Sequence, residues 1–245
     1  MTSMSGSIYK IPLKEQEASY SRDALSKALY GKLFEWLVCR INESLITKTE
    51  TRSFIGVLDI FGFEHFKTNS FEQLCINFAN ERLQAHFNSN VFRQEQDIYM
   101  REAIAWTPID EPDNEATIRM LSNRQGQPVG LFPLLDEQCR LPKCTHKTFV
   151  EKLFHEHKEA VHDGALAKVG RGSGLAANEG FVVRHYAGEV GYVADGFLQK
   201  NNNSLHADLE LVLKCASQPF VKQVLDEAAA AEAAAAPKKK RKAEA

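Results

Sequence analysis

The sequence predicts a mixed α/β fold that is mainly helical, with a few strands and one long helix. Three observations carry this expectation. Residues 71–101, and before them Leu25, Leu29, Leu33, Trp36, Leu37 and Ile41, place apolar side chains mostly at three- and four-residue steps, the period of a helix with one face turned inward. Residues 53–60 are mostly apolar and short, the pattern of a strand covered on both faces. Val182 and Val183, with Val190, Tyr192 and Val193, flank Ala187-Gly188 as the strands of a hairpin.

A chain of 245 residues can form one large domain or two small ones and bury a sizeable core. Its 44% hydrophobic and 25% charged content is that of an ordinary soluble globular protein, so neither a disordered nor a membrane class is indicated. The formal net charge of -2 argues against a general nucleic-acid or membrane surface. No apolar run is long enough to cross a bilayer, and the polar start Met1-Thr2-Ser3-Met4 does not read as a signal peptide. Five cysteines without C-x-x-C spacing suit a reducing compartment, the cytosol, with Cys39 and Cys75 acting as small hydrophobes.

Taken in order, residues 1–19 read as a polar extension. Ser21-Arg22-Asp23 opens the first helix, whose stripe should face a core. A turn-rich stretch from Asn42 to Arg52 leads into the apolar strand at residues 53–60. Asn69/Glu72 and Ser70/Gln73 are overlapping capping boxes for the long helix. Its first half, with Phe71, Leu74, Cys75, Ile76 and Phe78, is apolar nearly all round and should be buried. Its second half keeps only a stripe, Leu83, Phe87, Val91 and Ile98. A short helix is expected over residues 114–123, and another starting at Thr145 or Thr148 with Phe149, Leu153 and Phe154 inward. Residues 158–180 read as an irregular surface loop, and residues 209–224 as a last helical region. Ala228–Ala236 is nearly pure alanine, Pro237 ends any helix there, and Lys238, Lys239, Lys240, Arg241 and Lys242 form a basic run. The boundaries fall at residues 1–19, 20–225 and 226–245.

Chemistry concentrates where the apolar strand emerges. Asp59 stands at its end, Gly62 frees a backbone N–H for close approach, and Glu64 follows. In a parallel sheet, phosphate and Mg²⁺ bind just beyond the carboxyl ends of strands, so Asp-x-x-Gly-x-Glu suits that place. Other signals are weaker. His155 and His157 lie on different helix faces, so with His162 they do not make a metal site. Gly170-Arg171-Gly172-Ser173-Gly174 lacks the G-K-[ST] ending of a phosphate loop.

Asp59-Ile60-Phe61-Gly62-Phe63-Glu64 resembles the switch II signature of myosin motors, and residues 77–84, Asn-Phe-Ala-Asn-Glu-Arg-Leu-Gln, resemble part of the myosin relay helix. The likeness continues through residues 130–143 and 183–205, covering roughly residues 8–225. It implies a partial P-loop-NTPase-type motor fold, the lower 50-kDa subdomain with its long relay helix. It assigns Asp59, Gly62 and Glu64 to catalysis: Asp59 holding Mg²⁺ through a water, Gly62 donating to the γ-phosphate, and Glu64 pairing with a switch I arginine. ATP and Mg²⁺ are thereby the cofactors of the complete motor, with none expected to bind tightly to this chain alone. Phe78, Asn80, Glu81 and Trp106 take the relay positions. The helix–loop–helix around residues 131–154 resembles the actin-binding surface, with Leu134, Leu141 and Pro142 as apolar contacts and Arg140 and Lys143 as rim cations. Lys238–Lys242 resembles the Lys-rich loop 2 that also meets actin. Arg140, Phe197 and Ser204 depart from the residues the family often has there.

Phosphoryl transfer needs a phosphate cradle, a lysine, a Ser/Thr on Mg²⁺ and a group that places the attacking water. The sequence contains no G-x-x-x-x-G-K-[ST] and no stretch like switch I, so the chain alone is expected to be inactive. The expected function is part of an actin-based cytoskeletal motor, cytoplasmic, with F-actin and the remainder of the head (P-loop, switch I, converter) as partners and no membrane. The alternatives are a stand-alone, non-enzymatic actin-binding module and a nuclear-directed chain using Pro237–Lys242. Because the family's upper 50-kDa and N-terminal subdomains normally cover part of this surface, the resemblance implies that the isolated chain exposes apolar area on the first half of the relay helix and beside residues 54–58.

Overall fold

The computed structural model describes residues 2–4, 7–9, 12–46, 53, 55–107, 114–141, 143–170, 174–202 and 207–235. Contacts divide the chain into two units, Met1–Gly56 with Asn203–Ala245, and Val57–Asn202.

In the first unit, β1 (Thr2–Met4) and β2 (Ser7–Tyr9) pair antiparallel, Ser3 opposite Ile8. Helix α1 (Glu15–Leu45) begins at Glu15 rather than Ser21 because the Glu17 carboxylate accepts the Lys14 N–H at 2.9 Å, closing its first turn. Its stripe does not face a core as expected: Leu33, Leu37 and Ile41 are all exposed. What packs is Trp36, edge-on against Phe220 at 5.4 Å, beside an Arg40–Glu227 ion pair at 2.6 Å. These partners lie on α10 (Pro219–Ala235), which follows α9 (Ala207–Lys214). Helix α10 runs straight through the boundary expected at 225/226, since alanine is the best helix former and nothing in residues 226–235 breaks it.

The second unit holds the main core. Helix α2 (Phe71–Phe87) passes through a π-turn at Asn88–Phe92 into α3 (Arg93–Arg101), so the long helix is one run with a widened turn in its middle. Of the two capping boxes the Ser70/Gln73 pair forms, with the Ser70 N–H on Gln73 Oε1 at 3.0 Å. Asn69 does other work: its amide bonds the backbone of Phe66 on both sides and donates to Gly191 O. Helices α4 (Glu115–Ser122), α5 (Leu131–Arg140) and α6 (His146–Glu156) then pack their apolar faces together, Leu121, Leu131, Leu135, Phe149 and Leu153 being fully buried. Gly130 at the start of α5 has no room for a side chain, since a Cβ would lie 2.5 Å from Asn123 N.

Residues 158–180, expected to be an irregular loop, instead contribute α7 (Lys158–His162) and β3 (Leu166–Lys168). Strand β3 pairs with β4 (Gly180–His185), which pairs with β5 (Gly188–Val193), a three-stranded antiparallel sheet. Phe181, Val183 and His185 alternate inward on β4, and Val190 and Tyr192 on β5. The short α8 (Phe197–Asn201) seals this face with Phe197, which meets Phe71 and Phe181 edge-on.

One expected strand is missing. Residues 55–60 carry no strand, and Ile55, Val57 and Leu58 are 97, 91 and 70% exposed. A strand exists only where its N–H and C=O groups find a neighbouring strand, and none lies beside this run among the described residues. The apolar exposure expected beside residues 54–58 is present; Phe54 is outside the described residues. The first half of the long helix, by contrast, is covered, with Leu74 buried and Phe71 and Phe78 packed on the core. The described helices include none long and apolar enough to cross a membrane.

Candidate functional site

The Asp59–Glu64 corner is irregular chain laid against α2. Asp59 and Gly62 are exposed and Glu64 is half-buried. A Cβ on Gly62 would meet nothing within 4 Å, so this face of the backbone is open to an approaching group. The other face is held by asparagines of the helix. Asn77 accepts the Glu64 N–H at 2.8 Å and donates to the Glu64 carbonyl at 2.8 Å, bonding one residue on both sides. Asn80 donates to Phe61 O at 3.0 Å, and Gln73 donates to the Glu64 carboxylate at 3.2 Å. Phe63 between them stands edge-on to His185 and Tyr186 of the hairpin. The long helix therefore leaves directly behind the corner and fixes its backbone, although the corner does not end a strand.

Behind Asn77 lies a set of buried polar groups. Asn77 donates to the Tyr192 hydroxyl at 2.9 Å, which is 2.8 Å from His185 Nε2. His185 Nδ1 is 2.8 Å from the Glu81 carboxylate. Glu81 also receives the Asn114 amide, at 2.6 Å on Oε1, and the Tyr186 N–H at 3.3 Å. Asn114 precedes the first turn of α4, so the set reaches from the corner across the hairpin to that helix. Burial pushes the Tyr192 hydroxyl well above its ordinary range, despite the Asn77 hydrogen bond, which acts the other way. The nearby Cys75 thiol is pushed up to about 11 by burial and by Glu72, and is inert as a nucleophile.

The other residues expected at relay positions lie apart from one another. Phe78 packs on Phe132 of α5 at 5.1 Å. Trp106 is half-buried beyond the end of α3, edge-on to Tyr99 at 5.6 Å.

The residues expected at the α5–α6 tip separate into two groups. Arg140 and Lys143 are exposed, and Leu141 is 47% exposed. Leu134 is 1% exposed, deep in the core, and cannot serve as a surface contact in this fold. Leu134 and Leu141 would share a face if α5 continued, but the helix stops at Arg140 and Leu141 turns out in extended conformation. Lys143 takes a positive φ of 65°, which closes the turn, and Thr145 then caps α6. A Glu137–Lys152 pair at 2.8 Å bridges the two helices below the tip. Pro142 and Lys238–Lys242 lie outside the described residues.

Asp59 is the residue expected to reach Mg²⁺, through a water, and with one glycine N–H for the phosphate it makes a donor set too small to hold a Mg²⁺-nucleotide unaided. Among the described residues no group of three or more His, Cys, Asp or Glu is placed to bind a metal. His157 is instead a core histidine: burial lowers its pKa, leaving a neutral ring 2.8 Å from Val129 O.

Sequence reasoning missed Asn77, His185, Tyr192 and Asn114. Two signals were available. Asn77 interrupts the apolar start of the long helix, and His185 and Tyr192 occupy inward registers of strands whose other inward residues are Phe181, Val183 and Val190. A polar residue at an inward position needs a partner.

The profile of the myosin head (motor domain) family matches residues 1–245. The chain is 44% identical to a myosin-I heavy chain of Dictyostelium discoideum over 216 residues, 88% of this chain and 9% of that protein. It is 41% identical to unconventional myosin-Va of Homo sapiens over 219 residues, 89% of this chain and 11% of that one. With Myosin-11 of Arabidopsis thaliana it shares 46% identity over 220 residues, 87% of this chain and 13% of the relative. It thus spans about a tenth of the length of these relatives. The helical core, its small antiparallel sheet and these matches together identify the chain as a member of the myosin head (motor domain) family.

Proposed function

We propose that this chain forms part of an actin-based motor, supplying the switch II corner of its ATP site, the relay helix and the main actin-docking surface of a P-loop-NTPase-type head. The observation that carries this reading is the hold of the long helix on the corner: Asn77 and Asn80 bond Glu64 and Phe61 directly, so a shift of the corner must be felt by the helix. In the complete motor, ATP with Mg²⁺ supplies the phosphoryl group and the charge that the corner recognises. There Asp59 would hold a water on the metal side, Gly62 would offer its N–H to the γ-phosphate, and Glu64 would pair across the site with a switch I arginine. The phosphate cradle and that arginine belong to P-loop and switch I segments, which this sequence does not contain. The chain alone therefore binds nucleotide weakly and does not turn it over.

The docking surface is the turn between α5 and α6. Arg140, Leu141 and Lys143 present one apolar side chain between two cations, a composition suited to reversible docking on an acidic protein surface. Pro142 and the run Lys238–Lys242 are further actin contacts on this reading, the basic run acting chiefly by speeding encounter. This makes the chain cytoplasmic and cytoskeleton-associated, with F-actin, the converter and the rest of the head as partners. The exposed tip also favours a second reading, a non-enzymatic actin-binding module.

Co-sedimentation of the 245-residue chain with F-actin at low and at physiological salt tests the docking claim. Saturable binding that weakens with salt is the expected result, and no binding at either salt refutes it. Phosphate release from Mg²⁺-ATP, with and without F-actin, should stay at background; turnover by the chain alone would overturn the division of the site. Turnover on adding the remainder of the head as a separate polypeptide would favour the motor over the module.

A further inference from the structure

The buried polar groups behind the corner form a chain of hydrogen bonds that runs one way, and backbone atoms set its direction. The Glu64 N–H can only donate, so the Asn77 oxygen must face it, at 2.8 Å. The Asn77 NH2 group then spends one hydrogen on the Glu64 carbonyl and the other on the Tyr192 hydroxyl oxygen, at 2.9 Å. That oxygen already accepts, so the hydroxyl proton is directed at His185 Nε2, 2.8 Å away. Nε2 is thereby the acceptor of the ring, and the ring proton sits on Nδ1, 2.8 Å from Glu81 Oε2. The Glu81 carboxylate ends the chain, collecting the Asn114 amide and the Tyr186 N–H as well. A proton on Nε2 would leave the Tyr192 hydroxyl proton buried with no acceptor, a cost that the observed arrangement avoids.

From this geometry we infer that Tyr192 and His185 are positioning residues for the Glu64 corner. They touch neither substrate nor reacting atoms. They act by locking the amide of Asn77 in the one orientation that can grip both backbone atoms of Glu64. The β4–β5 hairpin, and not the long helix alone, then decides where Glu64 stands. The functional weight of this inference rests on reading the corner as switch II, whereas the lock itself does not. Rotation of the Asn77 amide would set donor against donor at Glu64, and a change of tautomer at His185 would remove the acceptor that keeps Tyr192 turned inward. The corner, the hydroxyl and the imidazole can therefore change only together.

Nitrogen-15 NMR of the histidine rings in the 245-residue chain tests the direction of the chain. A neutral His185 carrying its proton on Nδ1 is expected; an Nε2–H tautomer or an imidazolium would overturn the inference. Hydrogen exchange at the Glu64 amide tests the lock. Tyr192→Phe keeps the ring and removes the hydroxyl, and should speed Glu64 exchange roughly ten-fold or more relative to global opening. Val183→Ala removes a buried apolar contact in the same hairpin and serves as the control for lost stability. It should leave that relative rate unchanged, and equal acceleration by both variants would reduce Tyr192 to ordinary packing. Asn77→Asp keeps the acceptor for the Glu64 N–H but loses the donors to the Glu64 carbonyl and to Tyr192. The Tyr192 hydroxyl should then turn its proton from His185 to the new carboxylate and shift the Nε2 resonance, while Glu81 keeps the ring proton on Nδ1; an Nε2 resonance at its wild-type position refutes the lock. If Tyr192→Phe does not fold, the wild-type tautomer and Asn77→Asp still decide. Negative results here would leave the actin-docking reading standing, and loss of F-actin binding would leave these bonds intact.

Discussion

Replacing Glu81 by alanine is expected to cost about 3–5 kcal/mol of folding stability, the penalty for taking a carboxylate acceptor away from several hydrogen-bond donors at once. Glu81 is fully buried and receives His185 Nδ1, the Asn114 amide and the Tyr186 N–H; alanine would strip the buried His185 N–H of its acceptor, leave the Asn114 amide only the residue-81 carbonyl, and free the part-buried Tyr186 N–H. Against a typical total of about 5–15 kcal/mol, a loss of that size should move the urea midpoint far enough to read directly. Glu81→Gln keeps the shape and one acceptor oxygen but turns an NH2 toward donors, so its cost should be smaller, about 1–3 kcal/mol. A loss below about 1 kcal/mol for the alanine variant would show that the buried network does not hold the second unit together.

The second large effect separates two leucines that the sequence places on one apolar tip. Leu134→Ala should cost about 2–5 kcal/mol, because Leu134 is 1% exposed amid α5, α6 and the sheet, and its removal opens a cavity that the helices cannot close. Leu141→Ala should change stability by no more than about 0.5 kcal/mol, since that side chain already stands half in water. Thermal melting of the two variants checks the contrast. Equal, small losses would mean that Leu134 is not in the core, and would return it to the docking surface from which its burial removes it.

The parts of the fold legible in the sequence were those whose signal is local. Ser70 and Gln73 announce the start of the long helix, Thr145 that of α6, and the alternation through Phe181–Val193 the hairpin, because caps and two-residue periodicity depend on near neighbours. What failed depended on distant partners. Among the described residues, the apolar run at residues 55–60 has the composition of a buried strand but finds no strand to pair with, and Leu33, Leu37 and Ile41 of the α1 stripe stay exposed while Trp36 packs on Phe220. Leu134 and Leu141 look alike at seven-residue spacing until the end of α5 turns one away. At the candidate site, Asp59, Gly62 and Glu64 were legible as a motif, whereas the grip of Asn77 joins atoms that only the folded chain brings together. Polar residues at inward registers were the one clue to it.

The measurement that bears most directly on the docking role is F-actin co-sedimentation of Leu141→Asp beside the wild-type chain. An added carboxylate at the apolar centre of the tip, between Arg140 and Lys143, should weaken binding at least ten-fold while the melting temperature stays within a degree or two of wild type. Undiminished binding by a folded Leu141→Asp chain would contradict the placement of the actin contact at the α5–α6 turn.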